Sequence, residues 1–233
     1  MSEINKLNEF TEFLKTVNLE LYRNQYRPIK IVEMDLPKNI QAIELLYKIY
    51  WIRKEFLSFE NFYNEYLTEK KDLLEEFRIK IQMCEKCFYL GLPARIYRTW
   101  ASLITQIHGG YVAESVFGKD SVKMSEELDH NGADFQINYK GHLINYQVKK
   151  ESQSREIRKE KKPKKSISGE FVNIFYNVPS GDYFENPYRK DGSYKLPYLR
   201  FKEDKTLNRF DNGFIVFTEE AFLIKKAEID SRS

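Results

Sequence analysis

The sequence predicts an α/β protein with a largely helical N-terminal part and a sheet in the remainder of the chain. Two observations predict this class: apolar residues recur every three or four positions as far as about residue 108, and from residue 132 they alternate with polar residues. The 233 residues include 17 Phe and 16 Tyr, enough to build the core of one domain. We therefore expect a single domain, mainly helical over 1–108 and carrying its sheet over 109–233.

The helical part divides at prolines and capping residues. Each proline disfavours a helical conformation of the residue before it, so residues 27–37 are a predicted connector. Ser58 is a predicted helix cap, and Gly109 with Gly110 is the predicted end of the last helix. The predicted helices cover approximately residues 4–21, 40–54, 58–66, 73–91 and 96–107.

The sheet begins with a predicted β-hairpin. Residues 132–139 and 143–149 alternate apolar and polar side chains, and Lys140-Gly141 between them is a predicted turn. Further strands are predicted at 171–176 and 212–217. The intervening residues 179–199 are rich in Pro, Gly, Tyr and charged residues, which predicts a long loop.

Composition excludes several classes of protein. No apolar run approaches the ~20 residues needed to span a bilayer, so no membrane partner is expected. Nothing at the N-terminus resembles a signal peptide, and two cysteines cannot form a disulfide scaffold, so we expect a cytoplasmic protein. Cys84 and Cys87 have the spacing of half a zinc site. Without a second pair, two buried thiols are the favoured interpretation.

The predicted hairpin brings together residues suited to phosphodiester chemistry. Asp134 lies in the first strand, and Gln147 and Lys149 lie two residues apart in the second, so these two point to one face. Asp134 is a candidate ligand for Mg²⁺, with the Gln147 side chain and the Val148 backbone carbonyl as further oxygen ligands. Lys149 is a candidate to orient the attacking water or to stabilise charge on phosphorus. An exposed strand with a polar face is the alternative.

A compact basic segment follows the hairpin. Residues 151–165 carry seven basic and three acidic residues, a net charge of +4 in a chain whose total is +3. Beside a phosphodiester-cleaving site, such a segment predicts contacts with DNA phosphates, and a solvated charged loop is the alternative. The candidate DNA-binding residues are Lys150, Arg155, Arg158, Lys161, Lys162, Lys164 and Lys165.

Short motifs along nearly the whole chain occur in the order found in a known family. They are Tyr26 to Lys30, Leu92 to Arg98, Leu128-Asp129, Gly132 with Asp134, Gln147 to Glu151, and Asp211 to Phe217. In these motifs the chain resembles the TaqI family of type II restriction endonucleases, which cut duplex DNA at TCGA.

The resemblance implies a restriction-endonuclease-like fold of the PD-(D/E)xK type, with a central mixed β-sheet and flanking helices. It implies Mg²⁺-dependent hydrolysis of double-stranded DNA at TCGA, leaving 5′-phosphate ends, by a homodimer with a companion DNA methyltransferase. Asp134 falls on the family's metal-binding Asp and Lys149 on its catalytic Lys. Gln147 falls where many such nucleases have Glu or Asp and where TaqI-like sequences have Gln.

Three further residues and two other functions stay open. Glu114 is a candidate additional metal ligand, with an exposed helix cap as the alternative. Arg189 and Arg200, in the predicted loop, are candidates for major-groove base contacts, with solvated loop residues as the alternative. The other functions are a nuclease of the same core with another target, such as a repair or junction nuclease, and a catalytically inactive DNA-binding protein.

Overall fold

The computed structural model describes residues 3–26, 28–29, 36–149 and 167–232. The α-helices are α1 (Glu3–Thr16), α2 (Leu19–Tyr26), α3 (Ile43–Leu46), α4 (Phe59–Lys80), α5 (Glu85–Phe117), α6 (Glu126–His130), α7 (Gly181–Glu185), α8 (Leu196–Glu203) and α9 (Glu220–Asp230). The strands are β1 (Val122–Lys123), β2 (Phe135–Tyr139), β3 (His142–Lys149), β4 (Glu170–Phe175), β5 (Leu207–Arg209) and β6 (Ile215–Phe217). The α/β class, with a helical N-terminal part and a mixed sheet, is confirmed.

The chain forms two compact units. The first takes in residues 1–107 and 211–214, and the second takes in residues 108–210 and 215–233. Their boundary lies where the sequence predicts the helical part to end. That the whole chain acts as one endonuclease domain stays a prediction.

Aromatic side chains from the helices form the core of the first unit. Phe59, the first residue of α4, packs edge-on against Tyr22 of α2 and Trp100 of α5, with ring centroids 5.6 and 5.7 Å apart. The Trp100 indole N–H donates to the Tyr50 hydroxyl at 2.8 Å, and that hydroxyl donates to the Leu57 carbonyl at 2.5 Å. The polar atoms of these buried rings therefore have partners, as burial of Tyr and Trp requires.

Several predicted N-terminal helix boundaries are wrong, including the break predicted between residues 91 and 96, through which α5 continues, and the start of α4 is confirmed. The segment predicted as one helix over 4–21 breaks after α1, because Asn18 Oδ1 accepts the Leu21 N–H at 2.9 Å and so caps α2. Ser58 caps α4 as predicted, its Oγ accepting the Asn61 N–H at 3.3 Å. However, α4 continues to Lys80, and a new helix, α5, begins at Glu85. A short 3₁₀ helix at Lys38–Ile40 precedes α3, and a π-helix at Tyr47–Ile52 follows it.

The predicted end of the last helix at Gly109-Gly110 is also wrong. Helix α5 passes through both glycines and ends at Phe117. A Cβ atom at Gly109 would lie 3.1 Å from Phe217 Cδ2 of β6, closer than carbon atoms normally pack. Gly109 therefore allows α5 to approach the Phe217 ring; it does not terminate the helix.

A four-stranded mixed sheet in the order β1-β2-β3-β4 organises the second unit. The predicted hairpin is confirmed: β2 and β3 are antiparallel, and Lys140 and Gly141 between them have φ values of +48° and +80°. Two consecutive positive φ values are typical of the tight hairpin turn that matches strand twist. Strand β4 runs parallel to β3, so both strands end at the same edge of the sheet.

The two faces of this sheet differ in character. Phe135 and Tyr146 are fully buried on one face, where Phe222 of α9 contacts them at ring-centroid distances of 6.1 and 5.5 Å. Because side chains alternate along a strand, the opposite face carries Gln147 and Lys149. On that face Asn145 is fully buried, and Gln147 and Lys149, nearer the end of the strand, are partly exposed.

The C-terminal predictions need two corrections. Of the strand predicted over 212–217, only Ile215–Phe217 is extended, and it pairs with β5 in a separate two-stranded sheet. The loop predicted over 179–199 contains α7 and the start of α8. No helix in the described part of the chain is long and apolar enough to cross a bilayer.

Candidate active site

The end of the hairpin holds Asp134 against β3. The paired register ends with Phe135 opposite Tyr146, and Asp134 is the residue just before that pair. The Asp134 backbone N–H donates to the Tyr146 carbonyl at 2.9 Å, which holds this residue against β3. Asp134 thus lies one residue before β2, and not inside it as predicted. Lys149, two residues beyond Gln147, lies on the same face.

Asp134 is a buried carboxylate with a fixed orientation. Its Oδ2 accepts the Val148 N–H at 2.6 Å. The pKa of Asp134 is raised from the ordinary 3.8 to about 7: burial is the largest cause, the Val148 hydrogen bond acts in the opposite direction, and the nearby Asp129 carboxylate adds a smaller rise. The raised pKa means that the ionised form of Asp134 is unfavourable in the protein without a metal ion. A cation bound beside the carboxylate would stabilise that ionised form.

Asp129 lies near Asp134, a proximity that the sequence patterns did not predict. It lies in α6, and burial raises its pKa, with an additional rise from Glu126 and a reduction from His130. Ser125 caps α6 by accepting the Leu128 N–H at 3.2 Å, and Gly132, with φ of +88°, turns the chain from α6 towards β2. This turn brings Asp129 close enough to Asp134 for their charges to interact.

Backbone geometry places a further oxygen near Asp134. In a β-strand, the N–H and C=O of one residue point to the same side, so the Val148 carbonyl faces the side to which its N–H donates. Gln147 is partly exposed, and the parallel register sets it beside Asn173 of β4. Both amide side chains provide neutral oxygen atoms on the open face.

Glu114 has a different environment from the one predicted. It is buried in α5, and its Oε1 accepts the Asp120 N–H at 3.1 Å, beyond the end of the helix. The alternative of an exposed cap is therefore wrong, since the cap is buried. The carboxylate that contributes to the raised pKa of Asp134 is that of Asp129.

The oxygen groups here fit a hard cation with few protein ligands. Within residues 3–26, 28–29, 36–149 and 167–232, no group of three His, Cys, Asp or Glu side chains could hold a metal ion. Mg²⁺ usually takes only one or two carboxylates and completes its shell with water and phosphate oxygens. A pair of interacting carboxylates, Asp129 and Asp134, matches that requirement.

The predicted DNA-binding residues fall in two places. Lys150, Arg155, Arg158, Lys161, Lys162, Lys164 and Lys165 lie outside the described residues. The described chain resumes at Ile167, where the Ser168 carbonyl accepts hydrogen bonds from Asn145 Nδ2 at 3.0 Å and Gln136 Nε2 at 3.1 Å. Arg189 and Arg200 are both exposed.

The remaining candidates do not belong to this site. Cys84 and Cys87 are exposed and joined by a disulfide at the start of α5, so the prediction of two buried thiols is wrong. His108 is buried inside α5, and burial lowers its pKa to about 3, which keeps the imidazole neutral.

Comparisons with known proteins identify the family of the chain. A model of the TaqI restriction endonuclease family matches residues 7–228. The chain is 33% identical over 235 residues to the type II restriction enzyme TaqI of Thermus aquaticus, covering 95% of this chain and 89% of the relative. It is also 33% identical over 221 residues to the type II restriction enzyme TthHB8I of Thermus thermophilus, covering 91% and 84% respectively. No solved structure gives a significant match.

Proposed function

The chain belongs to the TaqI restriction endonuclease family and is a type II restriction endonuclease, and on that premise we propose that it cleaves duplex DNA at TCGA with Mg²⁺ as cofactor. Cleavage leaves a 5′-phosphate and a 3′-hydroxyl. One observation supports the proposal of a metal-dependent site: the buried Asp134 carboxylate accepts the N–H of Val148, the residue between Gln147 and Lys149, and the Asp129 charge acts on it.

The carboxylates hold the cation. Asp134, oriented by the Val148 N–H, and Asp129 supply negatively charged oxygens, and the Gln147 amide and the Val148 carbonyl supply neutral ones. When bound, Mg²⁺ supplies a positive charge that makes a water molecule more acidic and withdraws charge from the scissile phosphate.

Lys149 acts on the reacting groups directly. Its ammonium group stabilises the negative charge that develops on the phosphate oxygens, or donates a hydrogen bond that orients the attacking water. The strand fixes the position of Lys149, because its backbone carbonyl accepts the Tyr176 N–H at 2.8 Å. Because the Lys149 ammonium group is already beside the phosphate oxygens on which negative charge develops, the protein does not need to rearrange during the reaction.

We further propose how the enzyme engages its substrate. Duplex DNA binds across the open face of the sheet, with the basic segment 150–165 contacting phosphates and Arg189 and Arg200 contacting bases. A homodimer reads each half of the palindrome with the same residues, so each subunit needs to read only two base pairs. A companion methyltransferase protects the same site in host DNA. The core is of the PD-(D/E)xK type, and the enzyme acts in the cytoplasm.

The alternatives are a PD-(D/E)xK nuclease acting on another target, such as a junction, and an inactive DNA-binding protein. A plasmid of known sequence, digested with Mg²⁺ and with its ends mapped, distinguishes all three. TCGA ends and resistance of a substrate methylated at the adenine of TCGA are expected. A smear or ends elsewhere would contradict the proposed specificity, and intact plasmid would indicate the inactive binder.

A further inference from the structure

Residues 180–202 have an unusual surface for a folded segment. They include six aromatic residues, yet no side chain between Ser180 and Thr206 is buried. The segment also carries five Lys or Arg residues against three Asp or Glu residues. Aromatic rings that remain accessible among cationic side chains are typical of surfaces that bind nucleic acid.

The rings pack on one another and do not enter a core. Tyr188 and Tyr194 are stacked with centroids 4.9 Å apart, and Tyr194 lies 5.2 Å from Tyr198. Lys202 Nζ lies 4.6 Å from the Tyr194 ring centroid, a cation–π contact. These contacts support a small, exposed substructure between α7 and α8.

That substructure is a short β-hairpin with a defined turn. Tyr188 and Tyr194 form an antiparallel bridge, and the Arg189 N–H donates to the Ser193 carbonyl at 2.7 Å. Asp191 Oδ1 accepts both the Ser193 N–H at 2.9 Å and the Ser193 hydroxyl at 2.6 Å. Gly192 has a φ of +83°, a conformation that favours glycine. The turn is therefore ordered before any ligand binds.

The turn presents two cations to the solvent. Arg189 and Lys190 are both exposed at its start, while the carboxylate of Asp191 is held by Ser193 within the turn. An exposed hairpin that is already held by its own hydrogen bonds, with a guanidinium open to solvent, has the charge and donors to contact base edges in a DNA groove.

The chain reaches this hairpin from the catalytic edge of the sheet. Strand β4 ends at Phe175, which pairs with Lys149 in the parallel register, and Tyr176 donates its N–H to the Lys149 carbonyl. Both strands end at this edge, so the chain that leads to Tyr188 begins beside the catalytic lysine. All of these residues belong to the second compact unit.

We propose that the hairpin Tyr188–Tyr194 enters a groove of the bound duplex, where Arg189 recognises a guanine and Lys190 contacts a phosphate. Arginine donates two parallel hydrogen bonds to guanine O6 and N7, the commonest specific contact in the major groove. Tyr188 and Tyr194 are positioning residues that hold the hairpin in its binding conformation. The inference rests on the proposed function, since it takes duplex DNA as the substrate.

The test compares Arg189→Ala and Lys190→Ala with Lys205→Ala, an exposed lysine of the same unit outside the hairpin. The preference for TCGA over a duplex in which both central G·C pairs are replaced should fall by roughly 10- to 100-fold in Arg189→Ala. Lys190→Ala should weaken binding of both duplexes equally and reduce the slope of log K against log salt by about one. Lys205→Ala should change neither quantity.

The tyrosines are tested by rescue. A Tyr188→Ala/Tyr194→Ala double variant should weaken DNA binding severalfold, and a Tyr188→Phe/Tyr194→Phe variant should restore it, because the phenylalanine rings keep the stacking contact. Unchanged selectivity in Arg189→Ala, together with an unchanged salt slope in Lys190→Ala, would overturn the hairpin proposal. If the parent protein binds duplex DNA without cutting it, the proposed function is contradicted. In that case the slope of log K against log salt for Lys190→Ala still tests the hairpin proposal.

Discussion

The edge of the hairpin β2–β3 and the surface hairpin Tyr188–Tyr194 are built in opposite ways. At the first, Asp134 is buried, held by a backbone hydrogen bond, and raised in pKa to about 7 by its surroundings. At the second, Arg189 and Lys190 are exposed on a turn that buries none of its residues. The first region buries one carboxylate beside partly exposed polar side chains, and the second presents its charges to the solvent.

This difference corresponds to the two tasks of a nuclease that recognises sequence. Chemistry at phosphorus gains from fixed charges in a poorly solvated site, where electrostatic effects are strong. Recognition of a long polyanion needs accessible cations at many points, each contributing little. Substitutions at the buried edge should therefore alter the rate, and substitutions at exposed cations should alter affinity or selectivity.

The largest effect is expected from Lys149→Ala. Loss of this ammonium group should slow cleavage by on the order of 10²–10⁴-fold, because charge developing on the phosphate loses its stabilising donor. Circular dichroism should show an unchanged fold. Lys123→Ala is the matched control, since Lys123 is an exposed lysine of the same sheet. A Lys149→Ala enzyme with near-parental turnover would remove Lys149 from the chemistry.

A second test uses the raised pKa of Asp134. Because the folded protein holds this proton more tightly than the unfolded chain, the carboxyl group favours folding below its ordinary pKa of 3.8, and that contribution is lost as pH rises through about 7. Metal-free Asp134→Asn should therefore be more stable than the parent by a few kcal/mol at about pH 8.5, with a much smaller difference at about pH 4.5.

Thermal unfolding at the two pH values checks this expectation. Asp72→Asn, on an exposed position of α4, is the control and should show no such pH dependence. Mg²⁺ should raise the Tm of the parent and not that of Asp134→Asn, because a ligand that binds only the folded state stabilises it. Parallel pH profiles for the parent and Asp134→Asn would mean that the Asp134 charge is not costly in the folded protein.

A smaller effect is expected from the basic segment. Neutralising Lys161 and Lys162 together should weaken specific and non-specific DNA binding about equally, and should reduce the slope of log K against log salt by about two. Fluorescence binding across a salt series measures this slope. An unchanged slope would mean that the basic segment is a solvated loop. Arg189 and Lys190 of the surface hairpin would then be the remaining proposed DNA contacts.

The smallest effect lies outside both regions. Ser58→Ala removes the cap of α4 and should lower the free energy of unfolding by about 1 kcal/mol, without changing the cleavage rate at a temperature where the variant is folded. Chemical denaturation and a cleavage assay on the same sample measure the two quantities. A large loss of activity in the folded Ser58→Ala variant would show that cleavage depends on the first unit as well.

Local patterns in the sequence were sufficient to predict the hairpin. Strict alternation defines which residues of β2 and β3 share a face, and a two-residue turn at Lys140-Gly141 sets the register. The position of Asp134 beside Val148 follows from where the two strands pair, and it was predictable because these residues are close in sequence. The roles of Asp134, Gln147 and Lys149 stay predictions.

Features without periodicity were not predictable in the same way. Helix α6 is only five residues long, so no repeat indicates it, although Ser125 three residues before Leu128 is a capping pattern. The sequence did not predict the exposed disulfide because the apolar pattern continues through the turn between α4 and α5. In this turn Gln82 has a φ of +54°, and the turn places Cys84 and Cys87 at the surface. Gly109 lies inside α5 because the Phe217 ring packs closely against it. Phe217 is more than a hundred residues away in the sequence, so no local pattern indicates this contact.

Single-turnover cleavage by Asp134→Asn tests the proposed metal site most directly. The measurement uses excess protein over a TCGA duplex and a series of Mg²⁺ concentrations, with DNA binding recorded on the same samples. Asparagine keeps an oxygen that can accept the Val148 N–H but lacks the charge. We expect binding within a few-fold of the parent and cleavage slower by about 10²-fold or more at every Mg²⁺ concentration. Parental cleavage rates in the folded Asp134→Asn protein would contradict the assignment of Asp134.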